Sequence, residues 1–322
     1  MRSALRQLVV AIALFWVVLS LTFFLVRAAP GDPVAFLAPP AASAPELARL
    51  RAALDLDAPL PVQYARWARD VFEGNLGTSF VAHRSVTSVL GDAIPISLAL
   101  GGISLLLTFV IGVAIGSVQG AHRGTRVDSA LTVVTTTIYA APSFWLALSL
   151  IALFTYGAAR LDLPSWLRLP AFGVRDPAGD SGVVDLVRHA VLPVATLTLV
   201  GAAGIARYAR TSVVELLRLQ WVRTAVAKGV PARSVHARHV LANALPTLLI
   251  LFALALPGVL AGSVFVETVF GWPGVGRLMV SSIFARDYPV VVGATVVYAA
   301  LVILANLAAD LALPLVDARR RT

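Results

Sequence analysis

Six uncharged, apolar runs divide this chain, at residues 7–26, 93–121, 129–159, 190–206, 240–266 and 290–309. The hydrocarbon core of a bilayer takes about 20 residues of helix, so each run predicts a membrane-spanning helix. The fourth has only 17 residues, and its helix is expected to continue past Arg207. No polar stripe alternates with the apolar positions, which excludes the amphipathic helices of a water-soluble core. The first run is too long for the apolar region of a signal peptide, and Arg27-Ala28-Ala29-Pro30 makes a poor cleavage site, so the run reads as a retained helix.

The segments between the runs differ in character. Residues 28–92 open with the turn-rich Ala29-Pro30-Gly31-Asp32-Pro33, and Pro39 to Pro45 reads as a flexible link. Leu47, Leu50 and Leu54 fall at helical spacing. So do Tyr64, Trp67 and Val71, in a short helix with Pro61 in its first turn. Those aromatics are expected to pack onto helix ends, and Gly74-Asn75-Leu76-Gly77-Thr78-Ser79-Phe80 to turn. Residues 160–188 are rich in Pro, Asp and Gly and predict irregular chain. In residues 270–278, three glycines and a proline predict the absence of regular helix, and Trp272 suits a membrane interface. Residues 207–239 predict two helical arms about Gly229, the first running unbroken to Lys228 and ending at a glycine.

Charge orients this pattern. The N-terminus, residues 122–128, residues 207–239 and the tail hold fourteen cations against Asp128, Glu215 and Asp317; the opposite side has twelve against thirteen acids. The positive-inside rule places both termini and the 207–239 loop in the cytoplasm. Seven of the 26 Lys and Arg lie in that loop, and inserting them would cost about 2.5–3.5 kcal/mol each at a helix centre, so the loop belongs outside the bilayer. The basic balance reflects membrane topology and not a nucleic-acid partner. The expected fold class is an all-α integral membrane protein with six transmembrane helices, both termini cytoplasmic, and a small extracytoplasmic segment after the first helix. Residues 1–92 form one part and residues 93–322 a five-helix core.

The chain has no cysteine, which rules out disulfides and thiolate metal sites. It has no G-x-x-x-x-G-K-[ST] sequence with which to cradle ATP. His236 and His239 lack a third ligand, so no metal site is expected, and no catalytic group or cofactor either. Asn306 and Asp310 share a helix face, but Asp310 falls near the end of the last run. Glu267 and Asp287 are expected to brace Arg277 and Arg286. Gly101, Gly102, Gly112, Gly116, Gly262 and Ser263 read as small residues that let helices approach.

Four sequences carry a family resemblance. They are Ala29-Pro30-Gly31-Asp32-Pro33; Gly74 to Phe80; Arg223-Thr224-Ala225-Val226-Ala227-Lys228-Gly229; and Val266-Glu267-Thr268-Val269-Phe270-Gly271-Trp272-Pro273-Gly274-Val275-Gly276-Arg277, followed by Ala285-Arg286-Asp287-Tyr288-Pro289. Together they resemble the first membrane subunit of the dipeptide/oligopeptide permease family of ATP-binding-cassette importers. Arg223-Thr224 stands where the general importer loop has Glu-Ala, and Gln220-Trp221 replaces an acidic–aromatic pair. The resemblance implies a permease moving di- or oligopeptides, nickel chelates or glutathione. Its implied partners are a second permease subunit, two cytoplasmic ATPases, an extracytoplasmic solute-binding protein and the lipid bilayer. It implies Arg223, Thr224, Ala225 and Lys228 as ATPase-docking surface, Val226 and Val230 as apolar contacts, and Gly229 as hinge. Glu267, Trp272, Gly274, Gly276, Arg277 and Asp287 become candidates for an extracytoplasmic gate or binding-protein contact. The competing readings are a self-contained carrier or channel and an intramembrane hydrolase; the carrier would need ionisable groups or broken helices at membrane depth.

Overall fold

The structure, a computed structural model, describes residues 2–28, 34, 43–53, 57–176, 182–256, 258–261 and 263–316. The Ala29–Pro33 turn, most of the Pro39–Pro45 link, Gly262, the side chain of Asp310 and the arginines of the tail lie outside them. The described residues contain no strand, only an isolated bridge between Thr78 and Ser85. Six helices are long and apolar enough to cross a membrane.

In order, the helices are α1 (Arg2–Ala28), α2 (Ala44–Ala53), α3 (Leu60–Phe72), α4 (Val86–Ala121), α5 (Arg126–Ala140), α6 (Ser143–Arg160), α7 (Val183–Leu217), α8 (Gln220–Ala227), α9 (Ala232–Ala255), α10 (Gly258–Ala261), α11 (Val264–Val269), α12 (Val275–Phe284) and α13 (Tyr288–Val316). The candidate spans lie in α1, α4, α6, α7, α9 and α13. The chain divides into two compact units, one of residues 1–93 with 278–303 and one of residues 94–277 with 304–322.

In the first unit, α3 lies against α1. Tyr64, Trp67 and Val71 are half-buried, and the Tyr64 hydroxyl sits 2.6 Å from Ser20 Oγ. The Tyr64 ring stacks on Phe24, and Trp67 meets Phe23. Leu19, Ala68 and Val296 form the core beneath them. The aromatic stripe thus packs onto the first helix, as its spacing predicts.

In the second unit, three glycines bring α4 and α7 together. A Cβ at Gly112 would lie 2.9 Å from the Ala202 carbonyl, at Gly116 2.6 Å from Ala209 Cβ, and at Gly120 2.5 Å from a Val213 methyl. No larger residue fits at this four-residue spacing, so the glycines set how closely the two helices approach. The third and fifth apolar runs do not form single helices. Residues 129–159 break at Ala141-Pro142, because proline has no N–H and keeps the residue before it out of the α region; Ala141 has ψ 133°. Beyond the break, α6 alone has the length of a span. In the run 240–266, α9 ends at Ala255 with Leu256 in a turn, and α10 and α11 are short helices among the described residues beyond it. Both α6 and α9 also contain a wide π turn, at Ala152–Gly157 and Val235–Leu241.

The fourth run extends to Leu217, past Arg207, giving α7 35 residues. At 1.5 Å per residue it exceeds the hydrocarbon core of about 30 Å. Arg207, Arg210 and Glu215 fall in the surplus.

Candidate functional site

The basic segment is built differently from two continuous arms. α7 stops at Arg218, Leu219 is extended, and α8 begins as a separate helix at Gln220. Behind α8 lies a small core to which each flanking helix contributes valine: Val213 from α7, Val222 from α8, and Val235 and Val240 from α9. Ala225 and Val230 pack against this core. Of the residues expected to face a partner, these two therefore turn partly inward. Arg223, Thr224, Lys228 and Gly229 are exposed, as is Val226 at 56%.

Gly229 closes α8 at φ 79°. Its N–H donates to the Val226 carbonyl at 2.9 Å, and the Val230 N–H to the Ala225 carbonyl at 3.2 Å. This pair of bonds, with Ala225 and Val230 sharing an apolar contact, is the glycine-terminated helix end that satisfies the last carbonyls. A Cβ at Gly229 would touch nothing within 4 Å, so only the backbone angle calls for glycine. On the return side, Trp221 tilts against His239, and the Asn243 side-chain amide donates to the His239 carbonyl at 2.6 Å, within the π turn.

Residues 263–277 form a second constellation. Glu267 is fully buried. Its carboxylate accepts from Ser97 Oγ at 2.7 Å and from the Arg277 N–H at 3.1 Å. Ser97 Oγ in turn accepts from the Val275 N–H at 2.8 Å. The carboxylate and the hydroxyl thus take up two N–H groups in the first turn of α12, which no helix can bond internally. α12 begins at Val275, inside the stretch whose glycines predict no regular helix, because these side chains cap it there. Space explains the glycines: a Cβ at Gly274 would lie 2.5 Å from the Glu267 carboxylate, and at Gly276 2.6 Å from Val264 Cα.

Glu267 therefore braces Arg277 through its backbone, not its guanidinium, which donates instead to the Gly271 carbonyl. Trp272, expected at a membrane interface, is buried with Leu100 and Val194. Asp287 is also buried. It accepts from Ser79 Oγ at 2.5 Å and from the Phe80 and Val81 N–H groups at 3.0 and 3.4 Å, fixing the turn after Gly77. Three side chains of the gate candidates, Glu267, Trp272 and Asp287, are thus committed within the chain.

One polar pair had no signal in the sequence pattern. Asp128 is buried and takes a bidentate bond from Arg210, with Nε to Oδ1 and Nη2 to Oδ2 both at 2.8 Å. Gly124 N–H also donates to it at 3.0 Å, and Thr125 caps α5. The Arg210 hydrogen bonds, aided by Gly124, hold the Asp128 carboxyl well below the usual carboxylate range against the opposing effect of burial. Its partner lies 82 residues away, beyond the reach of any local spacing.

Two family descriptions match the chain. "Binding-protein-dependent transport system inner membrane component" covers residues 110–322, and the corresponding N-terminal family covers residues 1–101. A putative peptide permease protein of Brucella suis is 36% identical, covering 99% of this chain and 98% of its own. The oligopeptide transport system permease protein AppB of Bacillus subtilis is 32% identical, with 98% of each chain covered. The di/tripeptide transport system permease protein DppB of Pseudomonas aeruginosa is 36% identical, covering 98% of this chain and 97% of its own. Among solved structures, the inward-facing MetNI methionine ABC transporter matches with a TM-score of 0.54 at 19% identity, covering 71% of this chain and 96% of that one; this shows the shared fold. The chain accordingly belongs to the inner membrane components of binding-protein-dependent transport systems, as a multi-pass permease subunit of an ATP-binding-cassette importer whose ATP is hydrolysed by separate subunits.

Proposed function

We propose that this permease moves di- or oligopeptides released by a solute-binding protein, and that the exposed face of α8 is where a partner ATPase docks. The cargo reading rests on the full-length relatives, which are named as peptide permeases. The docking reading rests on one observation: a short helix, backed by its own core and ended by Gly229, presents Arg223, Thr224, Val226 and Lys228 outward. The charge pattern supports placing both termini of the chain, and with them α8, on the cytoplasmic side. Residues 1–92 form the N-terminal part and residues 93–322 the permease core, which pairs with a second, similar subunit above two ATPases.

In this reading ATP closes the ATPase dimer, the two docked helices move together, and the permease pair passes from inward-facing to outward-facing. The nucleotide drives this only by binding one conformation better than the other. Gly274, Gly276 and Arg277 would then shape the loop that faces the binding protein, with Glu267 and Trp272 as its internal supports, while Asp287 holds the turn after Gly77.

The test is affinity purification of the tagged chain in mild detergent, with mass spectrometry of what accompanies it. Wild type should bring down an ATPase, and Gly229→Asp should lose it. Lys228→Glu separates docking from folding: an exposed charge reversal should leave stability within about 0.5 kcal/mol while weakening ATPase retention. Reconstituted with its partners, the complex should take up labelled di- and tripeptides only with ATP. Uptake without any ATPase would end the reading.

A further inference from the structure

We propose that the Asp128–Arg210 pair is a transmission link: it passes movement of α8 to the 122–128 turn, and through that turn to α4 and α5. The proposal rests on the reading of α8 as the ATPase-docking helix. Three observations carry it.

The first is position. Arg210 lies in the last two turns of α7, and only Arg218 and Leu219 separate α7 from α8. Val213 and Val222 join the two helices in one core, so a displacement of α8 reaches the end of α7 that carries Arg210.

The second is how Asp128 is held. It accepts from the Gly124 N–H as well as from Arg210, and its own N–H donates to Thr125 Oγ1 at 3.4 Å. Gly124, at φ 78°, forms the turn itself. A pull on the carboxylate therefore acts on the backbone between α4 and α5, not on a free side chain. A bidentate guanidinium–carboxylate pair adds a fixed direction that apolar contact lacks.

The third is what surrounds the pair. The glycine contacts between α4 and α7 are close packing contacts that set the distance between those two helices and do not reach α5. Farther along α5, Arg207 lies over the Tyr139 ring, 5.1 Å from its centroid, and a Cβ at Gly204 would lie 3.3 Å from that ring. α7 thus grips the first turn of α5 at Asp128 and its last turn at Tyr139, just before the break at Pro142. The ion pair is the charged, directional member of these contacts, and it lies nearer α8.

The chain has no cysteine, so two introduced ones report on it cleanly. Arg123→Cys and Arg218→Cys, both at exposed positions, carry spin labels on either side of the link. Their separation is measured by pulsed electron resonance in the permease–ATPase complex, without nucleotide and with ATP plus vanadate. With the link intact the separation should stay narrow and constant in both states. Asp128→Asn should let it shift by about 2 Å or broaden when ATP is added, the scale of helix shifts in such transitions, while the ATPase stays bound and hydrolyses ATP. The swap Asp128→Arg with Arg210→Asp re-forms the ion pair but leaves the Gly124 N–H without its acceptor, so it should restore the single separation only in part. Arg210→Lys, which keeps the charge but loses the fork, should fall between, and it stands in if Asp128→Asn does not fold. An unchanged separation in a linkless complex that still hydrolyses ATP overturns the proposal. An ATPase missing from the wild-type complex overturns the docking reading instead, and the link falls with it.

Discussion

The turns at Gly229 and Gly271 leave their helices by the same backbone route and then diverge. Each glycine has positive φ, 79° and 63°, and each is followed by an N–H that reaches back to the preceding turn, Val230 to Ala225 and Trp272 to Glu267. After Gly229 the space where a Cβ would point is empty, and the neighbouring cations face solvent. After Gly271 the chain closes on itself: Trp272 is buried, Gly274 and Gly276 press on Glu267 and Val264, and Arg277 turns back to the Gly271 carbonyl. One geometry thus serves an exposed corner and an internal joint. What separates them is whether side chains close over the turn, as Trp272 and Arg277 do after Gly271.

The largest effect that would break this contrast lies at Glu267. Replacing it with Ala leaves the buried Ser97 hydroxyl and the partly buried Arg277 N–H without their acceptor, at about 1–3 kcal/mol for a buried orphaned group and less for a partly buried one. Glu267→Gln keeps an acceptor oxygen and should lose clearly less. Thermal unfolding in detergent should rank wild type above Gln above Ala; an equal loss for both would mean that volume, not hydrogen bonding, holds the joint.

Next comes the pair of glycines. Gly276→Ala places a methyl 2.6 Å from Val264 Cα, which is backbone and cannot swing away, so overpacking of about 1–3 kcal/mol is expected. Gly229→Ala meets no atom and should cost only the left-handed backbone penalty of about 1–2 kcal/mol. If Gly229→Ala lowers the unfolding temperature more than Gly276→Ala, the corner is not as open as its geometry shows.

The last effect is read against pH and concerns another of the buried acids, Asp128. The folded-state pKa of Asp128 is depressed, so the unfolded chain binds more protons as the pH falls. The stabilisation is complete above the unfolded value of about 3.9 and drains away as the pH drops below it toward the folded value. The gap in unfolding temperature between wild type and Asp128→Asn should therefore be constant near pH 7 and narrow below about pH 4. A gap that persists in acid would mean the carboxylate charge is not what stabilises the pair.

Much of this was legible in the sequence, for physical reasons that also explain the rest. Burying apolar side chains in lipid needs long uncharged runs, and those gave the six spans. A glycine at a helix end leaves a local mark, and Gly229 carries it. Pro142 was equally visible, but the apolar run around it masked the break it causes between α5 and α6. Trp272 is ambiguous by type: a tryptophan at a loop edge suits both lipid and core, and it is the contact with Leu100 and Val194 that buries it within the chain. The partners of Glu267 and Asp287 were out of reach: Ser97 and Ser79 lie 170 and 208 residues away. No periodicity links residues at that distance.

The wide turn at Val235–Leu241 changes how the length of α9 should be counted. A π turn holds one residue more than the α-helical ladder around it uses, so the helix leaving the basic segment carries a spare residue. Removing one residue within that turn would let the ladder close as ordinary helix. Restoring α geometry without that removal would turn everything from Ala242 onward by about 100° about its axis. The direction in which Leu248 and Phe252 point is thus set by a single surplus residue: the turn works as an index mark, and the facing of the fifth span is a matter of arithmetic as much as of hydrophobicity.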